Sequence, residues 1–206
     1  QYGAELAYLR TANKQLLTGR ADNGSNYELR QNEEWRLNAR VNLNREFSLR
    51  ATLANHIRSS ESNFLTARNF RINGQQIGPE LAYQPTANFR LAGIYNFSVR
   101  NNVAAAENRE NARVHSLSTE VRWAKLAKRT VVASLRWVYI GFNGEANTPV
   151  GYELLEALRP GTNWTWNLNW QQRLANGLQV SIGYDGRQSE GQRMIHIGRM
   201  QVTALF

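Results

Sequence analysis

The sequence predicts an antiparallel transmembrane β-barrel of about ten strands, spanning residues 1–206 as one domain. Three observations carry this. Apolar and polar residues alternate strictly over long segments. The connections between those segments alternate between short and long. The apolar faces end in Trp, Tyr or Phe.

The clearest segment is Trp35 to Asn44, with Trp35, Leu37, Ala39, Val41 and Leu43 on one face and Arg36, Asn38, Arg40, Asn42 and Asn44 on the other. Period-two alternation of this kind is the signature of a strand with one apolar and one wet face. A preceding strand is read from Tyr2, Ala4, Leu6 and Tyr8. Asn44-Arg45-Glu46 turns the chain into Phe47, Leu49, Ala51 and Leu53, opposed by Ser48, Arg50, Thr52 and Ala54. Ile77, Pro79, Leu81 and Tyr83 lead through 84–88 to Phe89, Leu91, Gly93, Tyr95, Phe97 and Val99, opposed by Arg90, Ala92, Ile94, Asn96, Ser98 and Arg100. Leu117, Thr119, Val121 and Trp123 reach a basic turn at 125–129, and Val131, Ala133, Leu135, Trp137 and Tyr139 follow. Trp164, Trp166, Leu168 and Trp170 pass through 174–177 to Leu178, Val180, Ile182 and Tyr184. The final strand carries His196, Gly198, Met200, Val202, Ala204 and Phe206 on one face, with Arg199, Gln201 and Thr203 on the other.

Connections near 45, 86, 127 and 175 are short, whereas 11–30, 57–70, 101–112, 141–162 and 187–194 read as long polar loops. Outer-membrane barrels place short turns in the periplasm and long loops outside. A closing strand that ends on Phe206 puts that residue at the periplasmic end, and counting strands back sends every short turn to the same side. Trp35, Phe47, Tyr83, Phe89, Trp123, Tyr139, Trp164, Trp170 and Phe206 then form two outward girdles at the lipid headgroups, where amphipathic rings are favoured.

Mean hydropathy is −0.56, and no apolar run is long enough for a spanning helix. Neither fact opposes a barrel, whose strands need apolar residues only at alternate positions. There is no Cys, which removes disulfides and thiolate metal sites. The chain starts at Gln1 without a targeting signal and reads as processed or truncated, with an N-terminal part of the full protein expected upstream. Net charge is +9, from 25 Lys and Arg against 16 Asp and Glu. Alternation assigns the excess to the wet face, as Arg36, Arg40, Arg50, Arg90, Arg100, Arg122 and Arg136, with Arg187 and Arg199. A nucleic-acid surface would set aromatic platforms among those cations, but the aromatics fall on the opposite face, so no nucleic-acid partner is expected.

Alternation alone does not say which face points inward. A soluble sandwich or lipocalin-like barrel would bury the apolar face; the long strands, the loop asymmetry and the aromatic ends favour the membrane. An Arg-lined lumen supports an anion-preferring passage, since charge rings set pore selectivity. A narrow bore filled by Arg–carboxylate pairs and amide hydrogen bonds is the plainer reading, and the favoured one.

Catalysis is not expected. His56, His115 and His196 all fall near outer strand ends, but only Asp22 and Asp185 are available as Asp partners, and parity puts His196 and Asp185 on opposite faces. A rim-located hydrolase is therefore the least favoured function. Asp22 to Asn26 looks like a calcium loop but lacks the closing bidentate carboxylate, and reads as a turn. No cofactor or metal is expected. Within the loop 141–163, Tyr152 to Leu158 is briefly helix-like and ends at Pro160-Gly161; it could plug the lumen or present a partner site, and packing on the barrel rim is favoured.

The stretch Pro149 to Glu156, then Pro160-Gly161-Thr162-Asn163-Trp164, Tyr184-Asp185-Gly186-Arg187 and the closing Phe206, resembles the C-terminal barrel region of large Bacteroidetes outer-membrane proteins. The resemblance covers about a quarter of the chain and implies a long multidomain protein ending in a barrel. The expected function is an outer-membrane anchor and subunit of an envelope complex, acting through its long outer loops. Expected partners are outer-membrane lipid and lipopolysaccharide, envelope proteins, and the barrel-assembly machinery through the strand ending in Phe206.

Overall fold

The computed structural model describes residues 2–17, 26–104, 110–125, 128–174 and 177–204. Ten strands follow one another: β1 (Tyr2–Leu17), β2 (Asn26–Asn42), β3 (Phe47–Ser62), β4 (Phe70–Thr86), β5 (Phe89–Asn102), β6 (Asn111–Lys125), β7 (Arg129–Asn143), β8 (Gly161–Arg173), β9 (Leu178–Ser189) and β10 (Ile195–Ala204). They form one antiparallel sheet in sequence order. One helix, α1 (Pro149–Leu155), lies between β7 and β8, and a 3-10 turn (Thr66–Arg68) lies between β3 and β4. No described helix is long and apolar enough to cross a membrane.

Register keeps the two faces separate. One row of Cα partners runs Leu6, Leu37, Leu53, Ile77 and Phe97 across β1 to β5. A slip of one residue anywhere along it would exchange the faces. The β4–β5 ladder lapses at Gly78 and Pro79, where proline has no N–H to give. The same lapse seats the Asn96 side chain: a Cβ on Gly78 would lie 2.3 Å from Asn96 Oδ1.

The strands run further outward than alternation predicts. Residues 9–17 and 26–34 pair as a continuation of β1 and β2, and β3 and β4 likewise extend to Ser62 and back to Phe70. Along 9–17 and 26–34 the strict alternation is lost, so backbone pairing persists where the side-chain signal stops. Much of what reads as long loop is hairpin standing outside the membrane.

Exposure decides which face is inside. Leu37, Leu53, Ile77, Leu117 and Leu135 are 39–52% exposed. On the opposite face Ala92 and Val138 are fully buried and Ser116 is 1% exposed. The apolar face is the outer one. A soluble barrel would have the reverse.

Among the described residues, β1 and β10 are the two edges of the sheet, and no ladder joins them. Every residue of β10 is exposed.

Candidate functional site

The inner face holds Arg36, Arg40, Arg50, Arg90, Arg100, Arg122 and Arg136, each an even-numbered position in register with the others across β2 to β7. Two pairs stand directly opposite each other: Arg40 faces Arg50 across β2–β3, and Arg90 faces Arg122 across β5–β6. Carboxylates neutralise some of them. Glu34 pairs with Arg36 along β2. Glu80 is shared, one oxygen 3.6 Å from Arg50 and the other bound to Arg90. On β9 and β10, Asp185 takes Arg199 at 3.3 Å and the Asn167 amide at 2.5 Å. Thr52 donates to Asn38 at 2.9 Å and Gln76 to Asn96 at 3.2 Å. Among the described residues Arg40, Arg122 and Arg136 have no carboxylate partner.

Near the outer mouth the inner face changes character. Ile72, Ala112, Val114, Val138 and Ile140 form an apolar wall on β4, β6 and β7. Parity predicts a wet face there, and the reason for the exception is α1. The helix starts at Thr148, whose hydroxyl accepts from the Gly151 N–H at 2.9 Å, with Pro149 in the first turn. Val150, Leu154 and Leu155 pack against the wall. The helix ends where Glu156 and Ala157 turn left-handed, at φ 52° and 60°, four residues before the expected Pro160. Arg100 fixes this end, donating to the Leu154 carbonyl at 3.1 Å and to the Glu156 carboxylate at 2.6 Å. The rim packing favoured from sequence thus takes place on the inner side of the rim, over part of the lumen.

The histidines separate as parity predicts. His196 stacks on Tyr184 on the outer face, bonded through Nδ1 to its hydroxyl at 2.7 Å, with the Trp166 ring beside it. Asp185 faces inward with Arg199. His115 pairs outward with Tyr95 at 2.8 Å. His56 lies inward and buried, over Gly74, where a Cβ would come within 2.2 Å of its Nε2. No His meets an Asp or Glu at bonding distance among the described residues. The calcium-like loop from Asp22 lies outside the described residues except for Asn26, which opens β2.

Aromatic residues fall on the outer face at both ends of the strands. Phe47 stacks on Tyr83 at 4.7 Å near the short turns, where Phe89 is opposite Trp123 and Val131 opposite Trp170. Tyr8 lies 4.5 Å from Trp35 at the other end, with Tyr139 and Trp164 also there, 45% and 40% exposed. All six Trp face outward. Phe206 lies outside the described residues.

No family model matches the sequence, and no curated protein is similar to it in sequence. Solved structures do match. The monoaromatic hydrocarbon channel CymD superposes over 100% of this chain and 77% of its own, with a TM-score of 0.50 and 13% identity. The NanC porin is matched over 100% of this chain and 98% of its own, at a TM-score of 0.49 and 12% identity. The translocator domain of the autotransporter NalP from Neisseria meningitidis is matched over 98% and 87%, at 0.35 and 12%. At these identities the likeness concerns the fold, and the CymD superposition together with the outward apolar face carries it.

The fold is that of an outer-membrane β-barrel. In such a barrel the short turns at 43–46 and 87–88 belong on the periplasmic side and α1 at the external mouth. The apolar wall on which the helix docks is the part of the lumen that sequence reasoning missed. The signal available was Ile72, Val114, Val138 and Ile140, four aliphatic residues at wet-face parity.

Proposed function

We propose that this chain is a membrane anchor and subunit of an outer-membrane assembly, not an enzyme, and that strands from outside residues 1–206 complete its sheet. The observation that carries the reading is that, among the described residues, β1 and β10 are sheet edges with no ladder between them. Unsatisfied backbone groups in hydrocarbon cost several kcal/mol each, so an open seam does not persist in a bilayer. The extended outer hairpins supply polar surface for envelope partners. Because the chain has no Cys, introduced cysteines report cleanly. Cysteines placed in pairs, one on β1 and one on β10, are expected to stay unlinked under mild oxidation in cells, because other strands lie between them. Efficient β1-to-β10 disulfides within one chain would contradict the reading.

A second reading, an anion-preferring pore, is favoured by the directly opposed Arg40–Arg50 and Arg90–Arg122 pairs, because fixed cations in a lumen raise local anion concentration. In planar bilayers under a KCl gradient, the reversal potential should report anion selectivity, lost in Arg36→Glu or Arg90→Glu. Absence of conductance steps would remove this reading.

A further inference from the structure

Arg40 and Arg50 are Cα partners on neighbouring strands, with both side chains inward. Like charges placed directly opposite destabilise a sheet, so the pair needs an anion. The chain supplies little of one. Glu80 reaches Arg50 only at 3.6 Å and is bound more closely to Arg90. Among the described residues Arg40 Nε bonds only the Asn42 amide oxygen, at 3.1 Å. The pair borders a concavity of about 640 Å³ that also takes in Asn38, Thr52, Glu80, Arg36, whose charge Glu34 neutralises, and, from β1, Glu5.

The donors and acceptors around this space are specific. Thr52 donates to Asn38 Oδ1, which leaves the Asn38 NH2 free to donate to a ligand. The two guanidinium groups match a carboxylate, which they can grip through parallel N–H···O bonds. Glu5 adds acceptors suited to hydroxyl groups. Glu5 and Glu80 together oppose a dianion. No aromatic ring lines the concavity, so it has no platform for a flat base or an apolar ring.

We propose that this concavity binds a small hydroxylated monocarboxylate, with the carboxylate between Arg40 and Arg50 and hydroxyls toward Asn38 and Glu5. The site deepens the pore reading but rests on the inward face alone, not on conduction. Binding without conductance would remove the pore and keep the site; anion-selective conductance without binding would do the opposite.

The test is calorimetric titration of the protein in detergent micelles with D-glucuronate, and with D-glucose and inorganic phosphate at matched ionic strength. Glucuronate should bind, with glucose and phosphate each weaker by about tenfold or more. Arg40→Gln and Arg50→Gln should each weaken glucuronate by about tenfold, the usual effect of losing a charge-assisted bond, while Lys128→Gln on the periplasmic turn leaves it unchanged. Loss of fold is separated by the thermal midpoint. Removing one of two opposed cations should hold or raise the midpoint without ligand, and shrink the increase that glucuronate gives. The proposal is overturned if glucuronate fails to bind, if glucose or phosphate binds as well, or if both Arg variants bind normally.

Discussion

Arg100 on β5 holds both the Leu154 carbonyl and the Glu156 carboxylate, tying the end of α1 to the inner wall of the barrel mouth. The Arg100 side chain is 9% exposed and its partner Glu156 40%. The carbonyl bond is buried, and the carboxylate bond is partly screened by water. Arg100→Gln is expected to weaken α1 docking by about 1–3 kcal/mol, the range for bonds to a charged group. Hydrogen exchange at the amides of 151–155 should accelerate by about ten- to a hundredfold while the β5 and β6 ladders stay protected, since about 1.4 kcal/mol is a factor of ten.

Leu154 is fully buried in the same contact. Leu154→Ala should cost about 2–5 kcal/mol of helix docking through lost burial and the cavity left behind. The check is limited proteolysis: cleavage within 145–160 should appear at protease levels that leave the strands intact. Unchanged protection would mean that the helix is held from elsewhere.

Gly186 on β9 leaves room for the Trp166 ring, which a Cβ at that position would approach to 2.0 Å. The ring lies across the glycine and meets His196 on β10. Gly186→Ala should displace it and cost about 1–3 kcal/mol, as overpacking does. Urea titration of refolding into vesicles measures the loss, and the Trp emission spectrum should shift with it. The register here ties β8, β9 and β10 together, so the effect should reach the β10 edge.

Neighbouring positions on β4 offer a direct contrast of faces. Ile77 is 46% exposed on the outer face, and Gln76 faces inward beside Asn96. Ile77→Arg should lose about 2–4 kcal/mol of stability in a bilayer, the cost of a cation on the lipid side near the midplane. Gln76→Arg, one residue away, should lose about 1 kcal/mol, the value of its single hydrogen bond. Equal penalties would mean that the two faces see the same solvent.

The sequence made the faces legible and left the neighbours hidden. Alternation from Leu37 and Leu53 to Ile77 separates two faces, because a strand has a fixed period of two. The arginines and the Trp residues fall on opposite faces by the same arithmetic. It did not show that Glu80 would serve two arginines from different strands, since that depends on register. Residues 9–17 and 26–34 carried no face signal, having apolar and polar residues mixed on both sides, and their pairing appears only in the folded hairpin. Tyr152 to Leu158 read as a helix, but its destination was set by Ile72 and Val138, which lie far off in the chain. Nothing in a period-two pattern says whether β1 and β10 meet.

The central claim is that the apolar face lies in lipid, and all six Trp residues are on that face. Trp35 and Trp164 belong to the aromatic row at the external end, and Trp123 and Trp170 to the row at the periplasmic end. The measurement is Trp fluorescence of the protein in vesicles, quenched in turn by lipids brominated along their chains and by aqueous acrylamide. The expected result is strong quenching by the brominated lipids and weak quenching by acrylamide. Efficient acrylamide quenching with no effect of bromine would put the apolar face in water or in a protein core, and would contradict the barrel as described.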